Sequence, residues 1–268
     1  MDLIVVPARF GSTRLPGKPL IPIAGHSLLA RVAHVARAAA EMAGRCDVVI
    51  ATDDPRVADH AASLGYPVTM TASNISSGSG RAFAAAMQHD KRPDIVVNLQ
   101  GDTPFIPAAM VAALISAARE NMAACVTPVV RLDWKALDAM RAHKQRSPFS
   151  GTTCVRNSVG KALWFSKEVI PAIRDEAALR EQESFSPIFR HLGLYAYRLE
   201  ALERFEAEAP SRYEQLEGLE QLRFLEMGLD VQTIEVTPPD HAMSGIDTAE
   251  DILMAEALIR RFGDPHGR

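Results

Sequence analysis

The chain has too few cysteines for a disulfide framework. It holds three in 268 residues, at Cys46, Cys125 and Cys154. Their odd number and wide separation exclude a disulfide-stapled scaffold and a zinc knuckle. This cysteine usage is typical of a protein from a reducing compartment.

Long apolar runs and a strong charge excess are also absent. No apolar run reaches membrane-spanning length, and the N-terminal "MDLIVVPAR" lacks the basic start and long apolar core of a signal peptide. The formal net charge is only −4, which argues against a general nucleic-acid binder. We therefore expect a cytoplasmic protein of bacterial type, with neither membrane nor nucleic acid as a partner, in which any positive site is local.

Short apolar runs alternate with helical patterns through the first half of the chain. The predicted strands are "LIVV", "CDVVIAT", "PVTMT", "DIVVNLQ" and "ACVTPVV". Amphipathic or alanine-rich segments separate them, beginning with "HSLLARVAHVARAAAEM". Strands alternating with helices of this length predict a mostly parallel, doubly wound α/β sheet.

The pattern changes after Leu132. "TTCVRN" and "KALWFSK" flank "SVG" and predict a hairpin, and "HLGLYAYR" predicts a strand. "SRYEQLEGLEQLRFLEMG" opens with the capping-box pair Ser211 and Glu214 and predicts one amphipathic helix. "DVQTIEV" predicts a late strand and "DTAEDILMAEALIRRF" a terminal helix. The second half is therefore α+β material inserted into, or leaning on, the first sheet.

The stretch "PARFGSTRLPGKPL", residues 7–20, follows the first predicted strand and precedes the first long helix. In open α/β sheets, ligands bind at this carboxyl edge. Its glycines allow close backbone approach, and its cationic and hydroxyl side chains suit a polyphosphate. Those side chains are Arg9, Ser12, Thr13, Arg14 and Lys18. The Walker spacing is absent, and the alternative interpretation is a solvated basic turn.

Two aspartates follow strands in the same way. Asp102 in "NLQGDTP" comes after one apolar strand, and Asp247 in "SGIDTAED" lies between the late strand and the terminal helix. Two carboxylates beside a triphosphate can hold Mg²⁺, which takes one or two carboxylates together with phosphate oxygens and water. The alternatives are an ordinary turn aspartate at Asp102 and, at Asp247, a helix N-cap that pairs with Glu250.

Several segments together resemble the 3-deoxy-manno-octulosonate (Kdo) cytidylyltransferases. They occur in the family's order over nearly the whole chain: "PARFGSTRLPGKPL", "VVIATDD", "NLQGDTPFIP", "GKALWFSK", "RHLGLYAYR", "LEGLEQLRFLEMG" and "SGIDTAEDI". The resemblance implies a nucleotide-diphospho-sugar transferase fold, usually a homodimer. It implies one domain over residues 1–268, with a nucleotide-binding half (1–132), a sugar-binding and dimerisation half (133–230) and a return to the main sheet (231–268).

The implied reaction couples CTP to Kdo and releases pyrophosphate, giving CMP-Kdo for lipopolysaccharide-type glycan synthesis. By this resemblance, the catalytic residues are Arg14, Lys18, Asp102 and Asp247, and the two aspartates ligate Mg²⁺. The nucleotide-binding residues are Arg9, Ser12, Arg14, Lys18, Arg81 and Gln100. The sugar-binding residues are Gln100, Arg174, His191, Tyr195, Glu220 and Gln221, and Arg190 is a further candidate for the substrate carboxylate.

The chain departs from the family pattern at three positions. Gly80 and Thr103 stand where the family has glutamates, and Thr153 stands where it has a lysine. These changes alter the charge expected near the nucleotide and the sugar. They leave open a variant substrate, such as 8-amino-Kdo or another ulosonic acid. A sugar 1-phosphate nucleotidyltransferase and a non-catalytic nucleotide-binding protein are the competing classes.

Overall fold

The computed structural model describes residues 1–11, 15–238, 243 and 245–267. The strands are β1 (Asp2–Pro7), β2 (Pro22–Ile23), β3 (His26–Ser27), β4 (Cys46–Thr52), β5 (Val68–Met70), β6 (Ile95–Asn98), β7 (Cys125–Asp133), β8 (Thr152–Arg156), β9 (Ala162–Ser166), β10 (Phe185–His191), β11 (Tyr195–Arg198) and β12 (Val231–Glu235). The α-helices are α1 (Leu28–Ala43), α2 (Pro55–Ser63), α3 (Gly78–Gln88), α4 (Ala108–Glu120), α5 (Trp134–Lys144), α6 (Glu176–Gln182), α7 (Leu199–Ala207), α8 (Arg212–Glu217), α9 (Gln221–Glu226) and α10 (Ala249–Phe262).

Ten strands form one mixed sheet in the order β5-β4-β1-β6-β11-β7-β10-β8-β9, with β12 beside β7. The pairs β5/β4, β4/β1, β1/β6 and β12/β7 are parallel. Strand β11 lies antiparallel between β6 and β7, and β10 and β9 also run against their neighbours. Only those three strands oppose the common direction, so the predicted mostly parallel α/β sheet is confirmed.

Strand β1 shows why the opening apolar run is continuous. Its residues Leu3 to Val6 are fully buried. Leu3 and Val5 join a core cluster with α3 and α7 on one face, whereas Ile4 and Val6 join a cluster with α1 and α4 on the other. A parallel strand covered by helices on both faces has no solvent side, so the alternation of polar and apolar residues disappears.

In the second half, two predicted elements are each interrupted and form two shorter elements. The β8–β9 hairpin is confirmed, but the predicted long helix is interrupted at Gly218, whose φ of 62° closes α8 before α9 begins. The predicted strand "HLGLYAYR" is likewise divided between the end of β10 and β11. Gly218 provides the left-handed cap that a helix C-terminus favours, so a helical hydrophobic period alone did not reveal the break.

The late strand lies in the main sheet, because β12 pairs with β7 in parallel register. The division of the chain into nucleotide, sugar and return segments remains a prediction. None of the helices within the described residues is long and apolar enough to cross a bilayer.

Candidate active site

Two adjoining cavities lie at the edge of the sheet where the parallel strands end. The first, of about 340 Å³, is lined by Arg9, Lys18 and Arg81 among others, and we call it the basic-loop cavity. The second, of about 560 Å³, is lined largely by residues after Gly151, and we call it the second-half cavity. Both share the wall formed by Ser76, Ser77, Gly78, Gln100 and Asp102. A molecule with two chemically different parts can therefore span them.

Lys18 brings the two predicted aspartates together. Its ammonium donates to Asp102 Oδ2 at 2.8 Å and to Asp247 Oδ1 at 2.9 Å. The side chain of Lys18 is only 12% exposed, whereas those of Asp102 and Asp247 are 33% and 44% exposed. The carboxylates therefore stay accessible from the cavity while sharing one cation, and two anionic groups converge on a point where positive charge is stabilised.

Close backbone contacts set the position of Asp102. A Cβ at Gly101 would lie 2.2 Å from the carbonyl oxygen of Pro7, so only glycine lets this turn touch the end of β1. The backbone N–H of Ile246 then donates to the Asp102 carbonyl at 2.9 Å, which ties the second acidic segment to the first.

The alternative interpretation of Asp247, a helix N-cap that pairs with Glu250, is wrong. The cap of α10 is Thr248, whose hydroxyl accepts from the backbone N–H of Asp251, and Asp251 reciprocates in a capping box. The side chain of Asp247 instead faces Lys18. The carboxylate next to the helix start therefore lines the basic-loop cavity, and its neighbour Thr248 caps the helix.

The remaining predicted nucleotide residues divide into exposed and buried groups. Arg9 is exposed and Gln100 half-buried, and both line the basic-loop cavity. Arg81 lines it as well but is only 2% exposed. Its guanidinium donates to the Thr71 hydroxyl, to Ile75 O at 2.9 Å and to Asp53 Oδ2 at 3.3 Å. Arg81 thus fixes the segment before α3 in addition to lining the cavity. Ser12 and Arg14 lie outside the described residues.

The second-half cavity contains titratable groups held in their neutral forms. His191 is buried, its Nε2 lies 2.8 Å from the Thr127 hydroxyl, and burial lowers its pKa to about 3. Burial likewise raises the pKa of Tyr195 well above its usual value. A neutral imidazole binds through hydrogen bonds, and the role of His191 in sugar binding remains a prediction.

Gln221 and Glu220 also line the second-half cavity. The Tyr195 hydroxyl donates to Gln221 Oε1 at 3.1 Å, and the Gln221 Nε2 is buried without a partner among the described residues. Glu220 Oε2 accepts from Ser79 Oγ at 2.9 Å, and burial raises the pKa of this carboxyl. An unpaired buried amide in a cavity wall is costly unless a ligand satisfies it, so Gln221 is well suited to contact a sugar hydroxyl.

The positive charge of the second-half cavity comes partly from Lys167, a residue that the sequence analysis did not identify. Arg190 lines the cavity, but Arg174 is exposed and lines neither cavity. Lys167 also lines it, half-buried, with its ammonium 3.3 Å from Thr152 Oγ1 and a pKa lowered by burial. A lysine directly after the alternating strand "KALWFS" was the available signal, since strand ends carry the site elsewhere in this fold. A role for Arg174 in sugar binding remains a prediction.

The three departures from the family pattern have distinct surroundings. Thr103 lines the second-half cavity and its hydroxyl donates to Gln100 O at 2.8 Å. Thr153 lines neither cavity, and its neighbour Thr152 lines the second-half cavity instead. The Thr153 hydroxyl donates to Glu168 O at 2.6 Å. The change of charge at position 153 therefore falls on a residue that lines neither cavity. Beside Gly80 lies another carboxylate, that of Glu206.

Two larger surface grooves have volumes of about 650 and 750 Å³, and the second of them borders the second-half cavity at Phe105, Ile106, Pro107 and Met110. Neither contains any of the predicted site residues. Volume alone is therefore a poorer guide here than the convergence of charged and polar groups.

Comparisons with known proteins agree over nearly the whole chain. Residues 3–234 match the family model described as cytidylyltransferase. A 3-deoxy-manno-octulosonate cytidylyltransferase of Maricaulis maris is 37% identical over 98% of each chain. One from Xylella fastidiosa is 40% identical over 96% of this chain and 98% of its own. The solved structure of CMP:2-keto-3-deoxy-manno-octonic acid synthetase complexed with CTP aligns with a TM-score of 0.82 and 32% identity, over 97% of this chain and 98% of that one.

Proposed function

Because the chain belongs to the 3-deoxy-manno-octulosonate cytidylyltransferase family, we propose that it transfers CMP from CTP to the anomeric hydroxyl of Kdo. The hydroxyl oxygen attacks the α-phosphorus and forms the new O–P bond. The bond from that phosphorus to the bridging oxygen breaks, pyrophosphate leaves, and the hydroxyl proton passes to solvent. No covalent enzyme intermediate is needed, so catalysis consists of positioning and charge stabilisation.

The observation that carries this proposal is the meeting of the two cavities at Gln100 and Asp102. The triphosphate belongs on the side of Arg9 and Lys18, two of the cationic side chains that line the basic-loop cavity. The acidic sugar belongs on the side of His191 and Tyr195. The reacting oxygen and phosphorus then meet at the shared wall, beside the Lys18 and Asp102 pair, which satisfies the proximity requirement of an in-line displacement.

We further propose a magnesium site at Asp102 and Asp247. Their oxygens contact one ammonium at 2.8 and 2.9 Å, so these two carboxylates already hold a cation between them. This donor set fits Mg²⁺, which combines one or two carboxylates with phosphate oxygens and water. When bound, Mg²⁺ neutralises charge on the α-phosphate and makes the sugar hydroxyl more acidic. Lys18 contacts the phosphates and keeps the aspartates aligned.

On the sugar side, the substrate carboxylate faces Lys167 and Arg190, the cationic residues that line the second-half cavity within the described part of the chain. Charge-assisted hydrogen bonds from such groups distinguish an acidic sugar from a neutral one. The side chains of His191, Gln221 and Glu220 bind the sugar hydroxyls. Because Thr153 lies outside the cavity wall, the substitution at that position gives no reason to prefer a variant sugar over Kdo.

We also propose a homodimer formed along the β9 edge. This strand ends the sheet, and Val159 and Leu163 beside or within it are 73% and 53% exposed. An exposed apolar edge strand is a ready pairing surface. We place the reaction in the cytoplasm, where CTP is available, and its product in lipopolysaccharide-type glycan synthesis.

The experiment supplies CTP and Mg²⁺ with Kdo, 8-amino-Kdo and a panel of sugar 1-phosphates, and identifies products by mass spectrometry. We expect CMP-Kdo and pyrophosphate. The proposal would be overturned if product formed only from sugar 1-phosphates, or if no acidic sugar gave any product. Omitting Mg²⁺ tests the metal separately, and full activity in the presence of a chelator would remove it from the mechanism.

A further inference from the structure

A small pocket of about 280 Å³ lies at the edge of the sheet opposite the candidate active site. The first residues of β1 and β6 line it, whereas the basic loop and the "QGD" turn follow the ends of the same two strands. We call it the arginine pocket, and its lining residues are Met1, Asp2, Arg45, Asp94, Ile95, Arg119 and Arg198. The basic-loop cavity and the second-half cavity are lined by other residues, so the arginine pocket is a separate site.

Positive charge exceeds negative charge in the arginine pocket. Three arginines line it against two aspartates, and the Met1 ammonium adds a further cation. Both aspartates are already paired, because Asp2 contacts Arg119 at 2.6 Å and Asp94 contacts the Met1 ammonium. That ammonium, and after it the two remaining arginines, hold the pKa of Asp94 below its usual value, as expected where the local potential is positive. The two remaining arginines therefore carry the excess charge.

The first of these, Arg198, has a guanidinium nitrogen without an acceptor. Its Nη2 donates to the carbonyl oxygens of Ala118 and Asn121 and lies 3.4 Å from Met122 Sδ. Its Nε is buried and has no hydrogen-bond partner within the part of the chain that the structure describes. Leaving a buried donor of a charged group unpaired is costly. An anion bound in the pocket would supply the missing acceptor.

The second, Arg45, is exposed and has an unfavourable backbone conformation. Its φ of 51° lies in the left-handed region, which residues other than Gly, Asn and Asp rarely adopt. Neighbouring contacts fix this turn: the Asp2 N–H donates to Arg45 O at 3.1 Å, and Arg119 donates to the carbonyl oxygens of Ala43 and Gly44 at 2.8 and 2.5 Å. Among the described residues, the Arg45 side chain has neither a hydrogen bond nor an ion pair. A strained residue of this kind is a sign of function.

We propose that the arginine pocket binds a small phosphate-bearing anion, with Arg45 and Arg198 as its cationic contacts. Guanidinium groups bind phosphate oxygens through charge-assisted hydrogen bonds, often two at a time. Two arginines without carboxylate partners match the charge of a dianion. Inorganic phosphate and pyrophosphate share this chemistry. The inference does not depend on the proposed function, because none of the residues that carry it belongs to the candidate active site.

The test is an NMR titration of the ¹⁵N-labelled full chain with inorganic phosphate and, separately, with pyrophosphate, at constant ionic strength set with chloride. The backbone amides of Gly44, Arg45 and Asp94 report the arginine pocket, whereas those of Gln100 and Asp102 report the candidate active site. We expect saturable shifts at the first three amides with at least one of the two anions. The anion that binds more tightly shows whether the pocket takes one phosphate group or two.

The decisive variant is Arg45→Asn, which removes the cation and introduces a residue that tolerates a positive φ. Binding at the arginine pocket should weaken about tenfold or more, because a charge-assisted hydrogen bond is lost. The melting temperature should not fall. Arg146→Asn is the matched control, since Arg146 is equally exposed and lies outside the pocket, and its affinity should equal that of the wild type. Arg45→Lys keeps the charge and should bind more tightly than Arg45→Asn.

The inference would be overturned if neither anion produced saturable shifts at Gly44 and Asp94, or if the shifts were confined to Gln100 and Asp102. An affinity in Arg45→Asn within twofold of the wild type would also contradict it, as would an equal loss in Arg45→Asn and Arg45→Lys. Shifts at the arginine pocket in a protein that forms no CMP-Kdo would contradict the proposed function alone.

Discussion

The basic-loop cavity and the second-half cavity share a wall but handle charge in opposite ways. In the first, Lys18, Asp102 and Asp247 form ion pairs in which both carboxylates are partly exposed. In the second, burial lowers the pKa of His191 and raises that of Glu220 and Tyr195, which favours the neutral form of each.

The difference agrees with the substrates that we propose for the two cavities. A triphosphate is bound mainly through its charge, and the cationic side chains Arg9 and Lys18 line the first cavity. A sugar offers hydroxyls, whose recognition needs directional donors and acceptors in a low-dielectric wall. Lys167 and Arg190 are the exceptions on the sugar side, as an acidic sugar requires.

We expect the largest loss of activity when a carboxylate of the basic-loop cavity is removed. Asp102→Asn and Asp247→Asn should each reduce kcat by about 10²- to 10³-fold, because charge neutralisation at the reacting phosphate is lost. Since Thr248 caps α10, Asp247→Asn should leave the melting temperature nearly unchanged. Steady-state kinetics with thermal unfolding tests both. The control is Glu250→Gln, an exposed acid in the first turn of α10, and equal losses there would contradict a specific role for Asp247.

Removing the shared cation is expected to have the next largest effect. Lys18→Ala should lower kcat/KM for CTP by about 10- to 100-fold, since one charge-assisted phosphate contact disappears and the aspartates lose their common partner. The carboxylates it leaves are partly exposed, so solvent screens their repulsion and the melting temperature should fall by only a few degrees. Unfolding of the variant at ambient temperature, with normal kinetics per folded molecule, would mean that Lys18 is structural.

A smaller and selective effect is expected on the sugar side. Lys167→Ala should raise the KM for Kdo by about tenfold and leave the KM for CTP unchanged, because one charge-assisted hydrogen bond to the substrate carboxylate is lost. Lys161→Ala is the matched control, because Lys161 is 43% exposed and pairs with Asp230 on the surface. If the two variants have the same KM for Kdo, Lys167 does not bind the substrate carboxylate.

The smallest effect on turnover is expected from His191 titration. Its pKa of about 3 keeps it neutral over the assay range, so kcat/KM for the sugar should show no ionisation of this group between pH 5 and 8. Stability should respond differently: the unfolded chain binds the proton near pH 6.5, so folding stability falls as the pH drops from there towards 3. His191→Gln should reduce that acid sensitivity in denaturant titrations, and an unchanged acid profile would contradict a buried neutral histidine.

Much of the first half was predictable from local patterns. The run "LIVV" predicted a buried strand, and the loop after it and the "QGD" turn were correctly placed at the same sheet edge. These predictions succeed because a parallel strand buried on both faces leaves a continuous apolar run, and the carboxyl ends of such strands meet at one edge. The second half was less predictable, because Gly218, which has a positive φ, ends a helix within a segment whose apolar spacing is helical throughout.

The sequence by itself therefore determined the parallel strands of the first half, the sheet edge that carries the basic loop and the "QGD" turn, and the family of the chain, since all three depend on short-range patterns and motif order. Only the tertiary structure decided that Lys18 lies between two aspartates distant in the chain, that Lys167 lines the second-half cavity, and that the Glu206 carboxylate lies beside Gly80. The physical reason is that these contacts depend on strand register and helix packing. Register sets which face a side chain occupies, and packing sets which distant segment it meets.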